Sequence, residues 1–155
     1  MRTPVDRFPS PSGKVPKPIA SLVILQARAR LLREECDIAV AQYLESQPPT
    51  PPRLSPSAFR LWTFLSLWLA YLWVVIEGYR DAYKTGHPLA DPEVDRLLAS
   101  PFSDQLRVFR NKIFHPNTYD HQAVKTILED HAAVRAWAEE LSDAFDRYLR
   151  SYMTS

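Results

Sequence analysis

An uncharged run of sixteen residues, 61–76, constrains the fold more than any other stretch. Its apolar residues recur every three to four positions, which is typical of a helix. A helix that is apolar on every side must also be covered on every side. One face can pack within the chain, but the face with Trp62, Leu69 and Trp73 needs either more core or a second subunit. Aromatic side chains with few charges are typical of interface centres, so the run favours a dimer.

The same run raises the alternative of a membrane protein. A membrane-spanning helix needs about 20 consecutive apolar residues. This run is shorter, is interrupted by Thr63 and Ser66, and is closely bounded by Arg60 and Glu77. We therefore expect a core helix and no membrane partner.

Composition favours one small all-α domain. The chain has 155 residues, which fits a single domain. It has only three Gly, and its Pro residues cluster mainly in two segments, 1–18 and 47–56, outside the helical patterns. Cys36 is the only cysteine, which excludes an internal disulfide and favours a cytoplasmic location. The N-terminus lacks the pattern of a signal peptide.

The domain boundaries follow from these segments. Residues 1–18 contain five Pro and carry a charge of +3, so we predict a flexible, Pro-rich basic arm. Residues 19–155 are then a single domain of four main helices and one or two short ones, one of them at about 121–129. The four main helices are predicted to begin near Ser21, Ser57, Ser103 and Ala132, and a short helix is predicted to begin with Asp91 as its N-cap.

A polar cluster within residues 109–116 carries the chemistry that the sequence offers. Arg110 presents a permanent cation with a planar fork of donors suited to phosphate oxygens. His115 can accept and return a proton near neutral pH. Asn111 lies four residues before His115 and shares its helix face. Pro116 disfavours helical dihedrals at His115, which places the imidazole at a helix C-terminus.

On a straight helix, Arg110 and His115 point about 140° apart, so one copy of the motif converges poorly on a single phosphate. A second copy, supplied by a two-fold symmetric partner, would solve this geometry. The formal net charge of +1 gives no global attraction for nucleic acid, so any RNA affinity must be local. The nearby bases Arg107 and Lys112 are the candidate substrate-binding residues.

The motif resembles that of the HEPN family (higher eukaryotes and prokaryotes nucleotide-binding domains). Ribonucleases of this family carry Arg, then a polar residue that is often Asn, then His after a short gap, and Arg110, Asn111 and His115 match these positions. Segments 74–79, 97–101 and 137–145 add looser similarity. The resemblance implies an all-α HEPN-like bundle, a homodimer that brings two motifs together, and metal-independent cleavage of RNA.

Three further residues are candidate supporting residues: Glu77, Tyr79 and Lys112. Glu77 either forms a local pair with Arg80, one turn away, or approaches the Arg110 and His115 region and orients it. Tyr79 either packs or stacks on an RNA base. No acidic cluster suggests a metal site, and no cofactor is expected.

The predicted function is therefore an endoribonuclease in which the ribose 2′-OH attacks the adjacent phosphorus at a site shared by two subunits. The alternative is a catalytically inactive HEPN-like module that binds nucleotide or RNA or docks a protein. The resemblance also suggests a toxin-antitoxin or phage-defence setting, with an antitoxin protein as a partner. That last expectation is analogy alone.

Overall fold

In the computed structural model the protein is all-α, which confirms the all-α part of the predicted fold class. The described residues form five helices and no strand. The predicted arm, apart from its last two residues, and the predicted helix at 121–129 lie outside the described residues. The structure describes residues 17–46, 55–84, 91–114 and 131–153.

The two longest helices form a pair along which the other helices are arranged. Helices α1 and α2 have 29 residues each and pack against one another. Helix α4 packs on α2, while α5 packs on α1 and α3. The helices are α1 (Lys17–Glu45), α2 (Pro56–Lys84), α3 (Pro92–Leu98), α4 (Pro101–Phe114) and α5 (His131–Met153).

The helix starts correct two of the sequence predictions. Ser21 lies inside α1, which begins at Lys17 with Pro18 in its first turn. Ser103 lies inside α4, where it is buried, and Pro101 is the first residue of that helix. In both helices a Pro suited to the first turn comes before the Ser, so the helix begins earlier than the Ser.

Other helix starts have well-defined caps. Ser55 caps α2, because its Oγ accepts the backbone N–H of Ala58 at 3.1 Å. Asp91 caps α3 as predicted, and its carboxylate accepts the backbone N–H groups of Glu93 and Val94 at 3.0 and 2.9 Å. These bonds satisfy amides that have no partner inside the helix.

The face of α2 that was expected to need either more core or a second subunit is largely covered within the chain. Leu69 and Trp73 are both buried in the core. Trp62 packs edge-to-face on Phe109 of α4, with the ring centroids 6.4 Å apart. The argument that α2 by itself favours a dimer is therefore wrong, because neighbouring side chains of the same chain supply the missing cover.

Helix α2 also has the dimensions of a membrane span. The stretch Pro56–Ala82 is long and apolar enough to cross a membrane, by length and composition alone. Of its apolar 18-residue window, 44% is buried inside the protein. The core helix of a soluble protein can have the same length and composition.

A polar seam fixes how α5 lies against α1. The buried Gln26 donates from Nε2 to the carbonyl of Ser142 at 3.0 Å and lies 3.1 Å from Oδ1 of Asp146. Arg33 pairs with Asp143 at 2.7 Å on the same side of α1. Because a buried amide is costly to leave unpaired, these bonds favour one register of the two helices.

Candidate functional site

Helix α4 carries the predicted motif on the side that faces away from the core. Leu106 and Phe109 are buried against the bundle. At about 100° per residue, Arg107, Asn111 and Phe114 lie together on the opposite side of the helix. Arg110 lies at the edge between this exposed face and the buried stripe, which explains why its side chain is half-buried.

Arg110 has an unusual set of contacts. Its NH1 group donates to Oδ1 of Asn111 at 3.0 Å, and its guanidinium carbon lies 5.9 Å from the ring centroid of Phe114. Its Nε is buried and has no hydrogen-bond partner among the described residues. Within the described ranges, no carboxylate forms an ion pair with Arg110.

These contacts leave the charge of Arg110 available to an anion. The contact with the Phe114 ring is worth about 0.5–1 kcal/mol at an exposed site. The buried Nε–H, by contrast, costs about 1–3 kcal/mol when it has no acceptor. A phosphate oxygen that binds the other N–H groups of the guanidinium would neutralise the cation.

His115 lies outside the described residues, so the geometry between Arg110 and His115 stays a prediction. Helix α4 ends at Phe114, immediately before His115 in the sequence. Asn111 is exposed, and its amide oxygen is bonded to Arg110. The predicted role of Asn111 in orienting the histidine also stays a prediction.

The two candidate substrate-binding bases lie on different sides of α4. Arg107 is exposed on the motif face and forms a loose pair with Asp104 at 3.7 Å, an exposed contact of small energetic value. Lys112 is about 160° from Arg110 around the helix, so the two cations do not point to the same place. Arg107 is therefore better placed than Lys112 to act with Arg110.

Glu77 does not form the pair with Arg80 that one interpretation predicted. Arg80 instead donates to Oγ of Ser103 at 3.3 Å and lies 5.3 Å from the ring centroid of Trp73. Within the described part of the chain, Glu77 has no ion pair with Arg110 either. The role of Glu77 beside His115 is a prediction that the described residues do not test.

Tyr79 has a structural position. Its side chain is buried, and its hydroxyl donates to Oδ1 of Asp95 at 2.9 Å and accepts the backbone N–H of Asp91 at 3.0 Å. Burial raises the pKa of Tyr79 well above its ordinary value of 10.0. Because the ring is buried, it has no free face on which an RNA base could stack, and the predicted stacking role is wrong. The hydroxyl instead connects α2 to the start of α3.

Phe114 is the residue of this site that sequence reasoning missed. It is one of the exposed large apolar side chains, and it supports the guanidinium of Arg110. The sequence spacing indicates this contact, since Phe114 lies four residues after Arg110 and outside the buried stripe of α4. Aromatic residues in helices are more often part of the core, so the spacing alone does not distinguish the two positions.

Other chemistry is limited in the described residues. No group of three or more His, Cys, Asp or Glu side chains that could hold a metal ion occurs in residues 17–46, 55–84, 91–114 and 131–153. Cys36 is buried in α1, and burial raises the pKa of its thiol to about 11. A thiol with such a pKa is almost entirely protonated at neutral pH and is a poor nucleophile.

Comparisons with known proteins add no relative. No family model matches the chain, and no curated protein and no solved structure matches it. The fold and the α4 face define an all-α protein with an exposed cation-and-amide cluster on one helix, and the HEPN resemblance stays a resemblance.

Proposed function

We propose that the protein is a metal-independent endoribonuclease with a HEPN-type site formed across a homodimer. The observation that carries the proposal is the half-buried guanidinium of Arg110. It has no carboxylate partner in the described residues, and an amide and an aromatic ring hold it at the surface. An unneutralised, pre-oriented Arg five residues before a histidine in the sequence is suited to a phosphodiester.

The proposed reaction is an intramolecular transfer within the RNA. The 2′-oxygen forms a bond to the adjacent phosphorus while His115 of one subunit accepts the hydroxyl proton. The bond between phosphorus and the 5′-oxygen breaks, and His115 of the second copy gives its proton to that oxygen. The products are a 2′,3′-cyclic phosphate and a 5′-hydroxyl. Each proton transfer contributes about 10²- to 10⁴-fold in rate.

Arg110 supplies the electrostatic part of this mechanism. The phosphorane-like transition state carries more negative charge than the substrate, so a fixed guanidinium binds it more strongly than it binds the ground state. A phosphate oxygen bound to NH1 replaces the bond to Asn111. The released amide can then donate from its NH2 group to a second phosphate oxygen.

Phe114 offers a way to hold the RNA strand. Single-stranded RNA is commonly bound by stacking its bases on aromatic rings and Arg planes. Phe114 is half-exposed beside Arg110, and Arg107 lies on the same face of α4. These three side chains are our proposed contacts for one nucleotide and its phosphate.

The test is cleavage of mixed RNA in the presence of EDTA. We expect Arg110→Ala and His115→Ala to lower the cleavage rate by about 10²-fold or more with unchanged helical content. The control is Arg96→Ala, which removes an exposed Arg that pairs with Glu140 on α5. Equal losses in all three variants, or full activity in Arg110→Ala, would contradict the proposal.

A second candidate is a binding module without catalysis. The arrangement that favours it is the bond between Arg110 and Asn111 beside the Phe114 ring, which does not need His115. RNA that binds the wild-type chain and not Arg110→Ala, without any cleavage, would support this candidate. A toxin-antitoxin or phage-defence setting in the cytoplasm, with an antitoxin partner, rests on the family resemblance alone.

A further inference from the structure

Helix α1 carries a second apolar line that its own chain leaves exposed. Ile24, Leu31 and Ile38 follow one another at seven-residue spacing, and they are 53%, 40% and 47% exposed. We call these three residues the α1 stripe. Seven residues are close to two helical turns, so the three side chains lie nearly in line. Isolated exposed apolar residues are ordinary, but a line of three with this period is the pattern of a helix-pairing seam.

On the opposite side of α1, apolar residues at the same seven-residue spacing form part of the core. Leu22, Ala29 and Cys36 are also seven residues apart, and all three are buried in the core. Helix α1 therefore has two apolar seams, of which one is covered by its own chain. The second seam has the same period and comparable length, and about half of its side-chain surface stays exposed.

The residues beside the α1 stripe allow close approach of another helix. At about 100° per residue, Ala20, Ala27 and Ala41 lie along one edge of the stripe, with Glu34 between the last two. Small side chains next to large ones let two helices interdigitate at the usual axial separation of about 8–10 Å. Arg28 and Glu35 lie along the other edge.

The charges of α1 are divided in a way that the helix itself does not explain. Its basic residues all precede its acidic residues, and the first turn has no acid while the last has no base. A helix dipole favours the reverse distribution. The basic residues are Lys17, Arg28, Arg30 and Arg33, and the acidic ones are Glu34, Glu35, Asp37 and Glu45.

Most charges of α1 have contacts within the chain. Arg33 pairs with Asp143 of α5 at 2.7 Å, Asp37 pairs with Arg135 at 2.8 Å, and Arg30 lies 3.6 Å from both Glu34 and Asp146. At the edge of the stripe the internal contacts are longer. Arg28 donates to the hydroxyl of Tyr71 at 3.3 Å, and Glu35 lies 3.5 Å from Arg60.

We propose that the α1 stripe binds a second copy of this chain, with the two α1 helices antiparallel and the two-fold axis at Leu31. Leu31 then packs on Leu31 of the second copy, and Ile24 packs on its Ile38. In this orientation the basic half of each helix lies along the acidic half of the other, so Arg28 faces Glu35 across the interface twice. A parallel pair would instead place like charges side by side.

This contact goes beyond the proposed function. The predicted motif is on α4, and α1 and α4 each pack against α2. Association through the α1 stripe therefore does not require RNA cleavage, and its test reads oligomeric state alone.

The first experiment is sedimentation velocity over a range of micromolar concentrations. We expect a reversible dimer whose dissociation constant rises roughly 30-fold or more in Leu31→Glu, the fold-change of a hot-spot substitution. The control is Leu44→Glu. Leu44 is 66% exposed on the same helix but lies about 120° from Ile38, so its substitution leaves the dimer unchanged. A wild-type chain that stays monomeric, or an assembly whose size and affinity are unchanged in Leu31→Glu, overturns the proposal. If the motif-sharing dimer of the proposed function also forms, the wild-type assembly is larger than a dimer and Leu31→Glu reduces it to that dimer.

The second experiment fixes the orientation by disulfide trapping. An antiparallel pair joins a copy with Ile24→Cys to a copy with Ile38→Cys, and neither variant joins efficiently to itself, because only the mixed pair brings the two Cα atoms within about 7 Å. The native Cys36 is fully buried and does not compete. Efficient self-joining of each single variant would show a parallel pair and overturn the proposed arrangement.

Discussion

Arg110 and Tyr79 are polar side chains in opposite situations. Arg110 keeps a buried Nε without an acceptor, whereas the Tyr79 hydroxyl both donates and accepts inside the fold. A buried donor without an acceptor lowers stability and is uncommon in folded proteins. The comparison separates the two predicted site residues, because the charge of Arg110 has no carboxylate partner in the described residues, while both hydrogen bonds of the Tyr79 hydroxyl are made within the fold.

The stability of the α2 to α3 connection tests the second half of this comparison. We expect Tyr79→Phe to lower the free energy of unfolding by about 1–3 kcal/mol, because the backbone N–H of Asp91 and the carboxylate of Asp95 both lose a partner. Urea denaturation followed by circular dichroism measures the change. The control is Tyr71→Phe, which removes a hydroxyl bonded only to the exposed Arg28, and its cost should stay below about 0.5 kcal/mol. Equal costs in both variants would contradict the assignment.

The pairing of α1 with α2 depends on one glycine. A Cβ added at Gly78 would lie 3.2 Å from Cδ1 of Leu25 and 3.3 Å from Cδ1 of Leu22. Leu25 is only half-buried, but Leu22 is fully buried and has little room to shift. The helix accepts the low helical propensity of Gly at this point because it permits the close approach of the two longest elements.

This balance predicts the sign of a substitution. Gly78→Ala gains up to about 1 kcal/mol in helix propensity but overpacks the contact at a cost of about 1–3 kcal/mol, so we expect a net loss of stability. A double-mutant cycle with Leu22→Ala checks the reason. Once Leu22 is truncated, Gly78→Ala should become neutral or stabilising. If it destabilises by the same amount in both backgrounds, the contact with Leu22 is not the cause.

At the scale of the whole molecule, the apolar periodicity predicted more of the fold than the capping residues near the helix starts did. The all-α class and the spans of α2 and α5 followed from apolar periodicity, because that pattern is what the core selects. The starts at Ser21 and Ser103 were wrong, since a Ser near a helix start is compatible with several registers and a nearby Pro decided between them. The burial of Leu69 within the chain could not be predicted, because it depends on which residues distant in the sequence pack against α2.

The position of α2 is the property of the whole molecule that matters most for function. If α2 is the core of a bundle, Trp68 is fully enclosed by protein, and the face of α4 remains open to RNA. We therefore expect Trp68→Ala to lower the free energy of unfolding by about 3–5 kcal/mol. The control is Phe59→Ala, an exposed aromatic of the same helix, which should change it by less than about 0.5 kcal/mol.

Flotation with lipid vesicles completes this prediction, because a core helix and a membrane span differ in what surrounds Trp68. If α2 is a core helix, the purified chain stays in the dense fraction without detergent and vesicles do not change its Trp fluorescence. If α2 spans a membrane, the chain floats with the vesicles. Trp68→Ala and Phe59→Ala then have similar small effects, since lipid surrounds both side chains. Flotation together with a small effect of Trp68→Ala would place α2 in lipid and contradict the bundle as the working form of the protein.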